Sequence, residues 1–384
     1  MERYSFFKYI ERLLAPLRDK AIGKKSSKKR HWRLMQVESA IACNLRCVMC
    51  PWRGITKNAQ NRGLMSQQVW EGIRPYLSDV KSIDFTGGGE PLLQPKLEAW
   101  VAEAKNAGCE TGFLSNGLLL REDRLKGLLD AGLDWICISM DGATADIYNK
   151  IRKGSDFDRV CENVGKLAEL RSGDIPKTMI NFVLMEMNFH QVEDILRLAA
   201  RLGVDQVNYK QCDVIRGEEG KGFGLFGPKE TKEIRHLQKS LEKAKRLAKR
   251  LNIQTTAFSF TPQEQPVCEQ DPRDSIFIRY DGTVAPCINL AIGGPTTFLE
   301  RAVTMPSVHY GRLPDNDLLE LWRTDTCKFY RQRFQQRVEK HDESIVNRLI
   351  TSSGSGRERT LQIAREAMPK PPRGCNVCHY LYDI

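Results

Sequence analysis

The chain has 384 residues, 41% hydrophobic, 28% charged and 8% aromatic, and this composition excludes wholesale disorder. No apolar run approaches the roughly 18 residues of a membrane span, and the N-terminus lacks a secretory-signal pattern, so we expect a cytoplasmic location. Cytoplasmic chains rarely keep cysteines for disulfides, so the twelve cysteines point to metal binding or catalysis.

The first 33 residues form a basic amphipathic segment. They hold eleven Lys/Arg and three Asp/Glu, which is most of the net charge of +11. A helix-like apolar pattern precedes a polybasic run. Three interpretations stay open: a helix docked on the domain with a solvated tail, contact with the inner face of the membrane or another anionic partner, and RNA binding.

From residue 34 to about residue 215, strand-like and helix-like patterns alternate. Six such repeats predict an α/β fold with a parallel sheet, curled into a partial (βα)6 TIM-like barrel. The predicted strands are Leu34–Ala40, Ser82–Thr86, Thr111–Ser115, Trp135–Met140, Met179–Leu184 and Gln206–Lys210. The predicted helices are Gln67–Leu77, Pro95–Ala107, Arg124–Ala131, Asp158–Arg171 and Gln191–Leu202.

The last third of the chain predicts a second unit. Residues 216–252 read as a glycine-rich linker followed by a charged amphipathic helix. We place a small, loop-rich domain at 253–384, in which Asp281-Gly282 predicts a hairpin turn. Part of 335–374 is expected to be loop, because it mixes charge with serine, glycine and proline.

The first cysteine cluster follows the first strand directly. Cys43, Cys47 and Cys50 are spaced C-x₃-C-x₂-C, and three thiolates within eight residues can bind one iron–sulfur cluster, leaving one iron open. Structural zinc is the alternative, although it prefers a closed set of four ligands. The polar residues Asn44 and Arg46 argue against simple core packing.

Polar residues also follow the next three strands, where a parallel barrel carries its chemistry. The turn Thr86-Gly87-Gly88-Gly89-Glu90-Pro91 allows close backbone approach and offers a carboxylate to an ammonium group. The third strand ends in Ser115 and Asn116 and the fourth in Ser139 and Asp141, all able to hydrogen-bond a ribose or a carboxylate.

With these motifs the region 34–212 resembles the radical S-adenosylmethionine (radical SAM) superfamily. The resemblance implies that S-adenosylmethionine chelates the open iron of a [4Fe–4S] cluster and is reductively cleaved to a 5′-deoxyadenosyl radical. It implies adenine contact for Met49, which departs from the aromatic residue frequent there, and carboxylate contact for Arg152. It also implies cofactor contacts for Gly88, Gly89, Glu90, Ser115, Asn116, Ser139 and Asp141.

Five further cysteines have less specific settings. Cys212 follows the sixth strand, and some members of the family use such a thiol to deliver a hydrogen atom, although a buried small side chain is the alternative. We expect Cys109, Cys137 and Cys161 to pack in the core. Cys327 could replace one ligand in the C-terminal cysteine set, but its helical setting beside Trp322 and Phe329 favours packing.

A second cysteine set lies in the C-terminal part. Four thiolates from Cys268, Cys287, Cys375 and Cys378 would close the coordination of one [4Fe–4S] cluster or of one zinc ion. The spacing resembles the SPASM domain in its shortened, single-cluster form, often called twitch. By this resemblance an auxiliary cluster would relay an electron or shape the substrate pocket.

These observations predict a radical SAM enzyme that abstracts a hydrogen atom from a peptide or small metabolite and needs an external one-electron donor. Oxidation, cross-linking, epimerisation and rearrangement all remain open, as does a lipid-linked substrate at the membrane. The rivals are an RNA-binding or RNA-modifying protein and a passive electron carrier. The strand-end motifs argue against the carrier, and charge confined to residues 1–33 argues against a nucleic-acid groove.

Overall fold

A computed structural model of the chain describes residues 30–53, 63–212, 231–351 and 356–384. Most of the basic N-terminal segment and the glycine-rich start of the linker at 216–252 lie outside these ranges. None of the helices in the described ranges is both long and apolar enough to cross a membrane.

The six predicted strands are confirmed, each with its ends within three residues of the prediction, and a seventh follows them. All seven pair in parallel in chain order, with residues 181 and 208, for example, in register between the fifth and sixth strands. The strands are β1 (Trp32–Val37), β2 (Val80–Asp84), β3 (Glu110–Ser115), β4 (Trp135–Ser139), β5 (Lys177–Leu184), β6 (Gln206–Gln211) and β7 (Gln254–Thr256).

Helices connect these strands and cover the outside of the sheet. Several start at a capping side chain, such as Ser66, which accepts a hydrogen bond from the Val69 N–H, and Asp156, which accepts one from Arg159. They are α1 (Gln67–Ile73), α2 (Leu97–Asn106), α3 (Glu122–Asp130), α4 (Ala145–Ile151), α5 (Phe157–Leu170), α6 (Asp194–Arg201) and α7 (Thr231–Arg250).

The main core lies between the sheet and these helices. Trp70 of α1 stacks on Trp100 of α2 with ring centroids 4.9 Å apart, and both are buried. On β3, a Cβ added to Gly112 would lie 2.1 Å from the Trp135 ring, so only glycine lets this indole pack there. The Trp135 indole therefore lies against β3 near the amino end of the sheet.

The sheet continues past the domain boundary expected at residue 253. Strand β8 (Ser275–Ile278) pairs in parallel with β1 and forms a hairpin with β9 (Thr283–Ala285), at the turn that Asp281-Gly282 predicted. Strand β12 (Gly311–Arg312) adds to β9, while β10 (Gly294–Phe298) and β11 (Arg301–Met305) form a separate hairpin. The C-terminal part of the chain thus completes the same sheet.

The C-terminal region is more helical than predicted. The elements are α8 (Ile288–Ile292), α9 (Leu318–Trp322), α10 (Asp325–Thr351) and α11 (Arg357–Glu366). Part of 335–374 is loop as expected, at 367–374, whereas 335–351 and 357–366 are helical. Buried Phe334, Val338 and Ile345 repeat at helical spacing on α10 and stabilise it by packing, despite its charged composition.

Candidate functional site

One cleft opens at the carboxyl ends of β1 to β6, where the sequence predicted the chemistry to lie. Its walls bring together the cysteine segment after β1, the glycine turn after β2 and the ends of β3 and β4. Twelve of the predicted site residues line it: Cys43, Cys47, Met49, Cys50, Gly88, Gly89, Glu90, Ser115, Asn116, Ser139, Arg152 and Cys212.

The cysteine segment is held by backbone hydrogen bonds on two sides. The Arg46 N–H donates to the Lys153 carbonyl and the Val48 N–H to the Ile151 carbonyl, both at 2.9 Å. On the other side the Glu90 N–H donates to the Ala42 carbonyl at 2.8 Å. These hydrogen bonds fix the backbone on both sides of the three thiols.

The glycine turn packs directly on that frame. A Cβ added to Gly89 would lie 2.2 Å from the Ala42 carbonyl oxygen, so this position tolerates no side chain without movement of the loops. The following Glu90 is buried, and its carboxylate accepts hydrogen bonds from the Ser115 hydroxyl and the Asn116 N–H, both at 2.8 Å. Burial raises the pKa of Glu90, and these hydrogen bonds partly offset the shift.

Arg152 is a buried cation beside the cysteines. Its guanidinium lies 2.7 Å from the Asp141 carboxylate and donates to the Cys47 sulfur at 3.8 Å. Asp141 itself is fully buried and also accepts from the Val183 N–H at 2.7 Å. Asp141 is one of the predicted cofactor contacts, but it does not line the cleft. It lies on the buried side of Arg152 and orients the guanidinium.

The three thiols of the cleft have the chemistry of iron–sulfur ligands. Burial raises the pKa of Cys47, and it raises that of Cys50 to about 11, so both stay protonated unless a metal supplies positive charge. No group of three or more His, Cys, Asp or Glu side chains in the described ranges has the geometry of a single-ion site. A four-iron cluster does not require such convergence, because each thiolate binds a different iron.

The second cysteine set also comes together in the fold. Cys287 and Cys375 are buried in one small core, and Cys268 and Cys378 pack against it. Burial raises the pKa of Cys375 well above its usual value, and the other three thiols raise it further by charge repulsion. The Asn289 amide donates to the Cys378 sulfur at 3.8 Å.

Four of the remaining five cysteines lie outside both sets, whereas Cys212 lines the cleft. Cys327 is fully buried in the main core, and the Cys109 sulfur lies 3.1 Å from the Leu77 carbonyl oxygen. Cys137 is buried on β4, and Cys161 is partly buried on α5.

Tyr380 connects the two cysteine sets. It lies two residues after Cys378 and lines the main cleft, and it also lines a smaller cavity beside Cys268. Tyr380 is not among the predicted site residues, although the sequence places it only two residues after Cys378.

Arg337 of α10 links the two chain segments that precede Cys268 and Cys375. Its side chain is fully buried and donates to the carbonyls of Gln265, Pro266 and Pro369 and to the Glu264 carboxylate. One cation thus ties the chain leading to Cys268 to the chain leading to Cys375.

Three further residues of the site gave no sequence signal. Asn181 of β5 and Gln211 of β6 line the cleft next to Cys212. Glu38, just after β1, is fully buried and accepts a hydrogen bond from the Gly88 N–H at 2.9 Å. Its other oxygen accepts from the Tyr280 N–H at 3.4 Å, so one carboxylate links the glycine turn to the β8–β9 hairpin.

Comparison with known proteins identifies the family. Residues 37–199 match the profile of the radical SAM superfamily, and residues 268–344 match that of SPASM, an iron–sulfur cluster-binding domain. The chain belongs to the radical SAM superfamily. The superfamily and the SPASM domain imply S-adenosylmethionine, a [4Fe–4S] cluster and additional iron–sulfur binding as cofactors, and the thiol chemistry of both cysteine sets fits these groups.

The similar proteins are radical SAM enzymes of differing activity. A Pyrococcus furiosus protein, named tungsten-containing aldehyde ferredoxin oxidoreductase cofactor-modifying protein, is 25% identical over 78% of this chain and 83% of its own. The PqqA peptide cyclase of Ruegeria pomeroyi is 28% identical over 61% of this chain and 59% of its own. SuiB of Streptococcus suis, solved with S-adenosylmethionine, has the same fold, with a TM-score of 0.57 at 15% identity over 86% of this chain and 75% of SuiB.

Proposed function

We propose that this radical SAM enzyme binds its catalytic cluster through Cys43, Cys47 and Cys50 and abstracts a hydrogen atom from a peptide or small metabolite. The observation that carries the proposal is the single cleft in which these thiols meet the Gly88–Glu90 turn and the polar strand ends. When bound, the cluster and S-adenosylmethionine supply the 5′-deoxyadenosyl radical, and the protein orients the reactants and excludes water.

Charged side chains of the cleft would bind the oppositely charged groups of S-adenosylmethionine. The Glu90 carboxylate, oriented by Ser115 and Asn116, would accept the ammonium group of S-adenosylmethionine, and Arg152 would face its carboxylate. Asp141 keeps Arg152 in place by the 2.7 Å ion pair and is a positioning residue in this proposal.

The product radical would form close to the second cysteine set. We assign an auxiliary [4Fe–4S] cluster to Cys268, Cys287, Cys375 and Cys378; with four thiolates it has no open iron. Tyr380 stands on the cleft wall beside this set, which supports a role of the domain in shaping the pocket or accepting an electron. Oxidation, cross-linking, epimerisation and rearrangement are all compatible with this arrangement.

Two substrate classes, peptides and small metabolites, are compatible with the similar proteins. Similarity to a PqqA peptide cyclase supports a peptide substrate, whereas similarity to a cofactor-modifying protein supports a small metabolite. Cys212 lines the cleft with 6% of its surface exposed, and we retain it as a candidate hydrogen-atom donor.

The test is anaerobic reconstitution followed by addition of dithionite and S-adenosylmethionine. We expect about eight irons per chain and formation of 5′-deoxyadenosine. Replacing Cys43, Cys47 and Cys50 by Ala should leave about four irons and no 5′-deoxyadenosine.

The controls separate the two cysteine sets from ordinary buried thiols. Replacing Cys375 and Cys378 by Ala should also leave about four irons but keep some cleavage, and Cys327→Ala should keep both clusters. A fully reconstituted wild-type protein that forms no 5′-deoxyadenosine would contradict the proposal. Zinc with about four irons would overturn the auxiliary-cluster assignment alone.

A further inference from the structure

The exposed face of α7 carries a dense strip of positive charge. Thr231–Arg250 holds eight Lys/Arg and two Asp/Glu, a net charge of +6. At 100° per residue, six exposed cations of this helix fall within an arc of about 120°. We call these six the basic strip: Arg235, Lys239, Lys243, Arg246, Lys249 and Arg250.

This concentration corrects the view that the charge excess belongs only to the N-terminal segment. Residues 1–33 carry +8 and residues 231–250 carry +6, so the other 331 residues carry a net −3. The basic strip is therefore a local feature of one helix and does not reflect a generally basic surface.

Within the described ranges the basic strip has no acidic partner. None of its members forms an ion pair with any of the described residues, and the acid on the same face, Glu242, is paired with Lys245. Some exposed cations on other helices do have acidic partners at helical spacing, as in Lys126 with Glu122 and Lys150 with Asp146. Like charges four residues apart destabilise a helix, so an anionic ligand along this face would relieve repulsion.

The connectivity places the first residues of the basic strip on the cleft side of the sheet. Helix α7 lies between β6, whose last residue Gln211 lines the cleft, and the start of β7 at Gln254. Because β6 and β7 are parallel, the C-terminal end of α7 lies at the edge of the sheet opposite to the cleft. A 20-residue helix spans about 30 Å, so its first turns lie at the cleft side.

The shape and chemistry of this face favour an extended peptide. The apolar residues Leu237, Leu241, Ala244 and Leu247 are buried in the core, so α7 has no apolar face to insert into a bilayer. Its sequence contains no Phe, Tyr or Trp on which bases would stack. The fifteen helical rises from Arg235 to Arg250 span about 22 Å, which about seven residues of extended chain would match.

We propose that the basic strip binds an acidic segment of a peptide substrate and so delivers the adjoining residues to the cleft. The inference rests on the proposed function in that the reacting part enters that cleft. The binding step itself needs no cluster and no S-adenosylmethionine, and it can be measured separately.

The experiment is fluorescence anisotropy with a fluorescein-labelled octaglutamate peptide and the reconstituted full-length protein. The strip variant carries Arg235→Gln, Lys239→Gln, Lys243→Gln and Arg246→Gln, because glutamine preserves helix propensity. We expect it to bind the peptide about tenfold more weakly than wild type. Raising NaCl from about 50 to about 300 mM should weaken wild-type binding much more than that of the variant.

A matched variant removes the same number of charges elsewhere. Lys81, Arg159, Arg201 and Arg301 are exposed and lie outside α7, and changing all four to glutamine should weaken binding by about twofold at most. Equal losses in the two variants, or none in either, would overturn the inference. Preference for oligothymidylate, or for vesicles with about 30% phosphatidylserine, at equal salt would overturn it in favour of a nucleic acid or a membrane.

Failure of the proposed function would look different. Wild-type protein that binds octaglutamate through the basic strip but forms no 5′-deoxyadenosine would keep the docking surface and refute the enzymatic assignment. Conversely, 5′-deoxyadenosine formation without strip-dependent binding would refute only the docking surface.

Discussion

Gly89→Ala tests whether the contact between the glycine turn and the cysteine segment sets the geometry of the site. The added Cβ would lie 2.2 Å from the Ala42 carbonyl oxygen and 2.4 Å from the Ile41 carbonyl carbon. To reach an ordinary contact distance, the two loops must separate by about 1 Å. Both neighbours are backbone atoms, so no side chain can rotate away to relieve the clash.

The expected cost follows from that displacement. A shift of about 1 Å between reacting groups costs on the order of 100-fold in rate, and overpacking costs about 1–3 kcal/mol of stability. We therefore expect 5′-deoxyadenosine formation under dithionite to fall by about 100-fold, while the protein stays folded at room temperature. Iron content and thermal melting should be measured on the same preparation.

Gly165→Ala is the matched control. Gly165 lies within α5, and an added Cβ there would meet no atom within 4 Å. This change should leave turnover intact and raise stability by about 0.5–1 kcal/mol. Wild-type turnover by Gly89→Ala, with an unchanged melting temperature, would refute the argument that the two loops are in tight contact.

Three further predictions concern single side chains. Burial raises the pKa of Glu38 to about 7, so its contribution to the free energy of unfolding is full below about pH 4.5 and is lost as the pH rises toward 7. Urea melts of the wild type should show a loss of about 3 kcal/mol over this range, and Glu38→Gln should not show it. Arg337→Met should destabilise the protein by about 3 kcal/mol in the same melts and lower auxiliary iron occupancy, with partial recovery in Arg337→Lys; unchanged iron would contradict its role as a tie between ligand segments. Cys212→Ala should leave 5′-deoxyadenosine formation within about twofold of wild type, because the hydrogen-atom donation proposed for this thiol follows cleavage; loss of cleavage would place it in cofactor binding instead.

The parts of the fold that sequence predicted best are those governed by local pattern. In the strand from Met179 to Leu184, buried Ile180, Phe182 and Leu184 alternate with half-buried residues, and this period of two is a local signal for a strand. The C-x₃-C-x₂-C segment and the glycine turn were recognisable because their functional residues lie within a few positions of each other in the sequence. Long-range contacts could not be predicted in this way. Glu38 is a single acid beside an apolar strand, and its hydrogen-bond partners lie 50 and 242 residues away along the chain.

The same limit applies to charge and to helices. Arg337 is one of many arginines in a charged helix, and only burial distinguishes it from its exposed neighbours. Charge counted along the sequence assigned the excess to the first 33 residues, because the acids elsewhere mask the cations of α7. The sequence also placed a boundary at residue 253, whereas hydrogen bonding carries one sheet across it.

The parallel pairing of β8 with β1 has a consequence for biosynthesis. During translation β1 emerges early, but one of its edges stays unpaired until residues 275–278 have left the ribosome. An unpaired parallel edge is a template for pairing with other chains, so the nascent protein passes through a stage prone to self-association. A chain truncated at residue 252 would be arrested at that stage, with Glu38 deprived of its partner on the hairpin, so we expect the barrel expressed alone to aggregate.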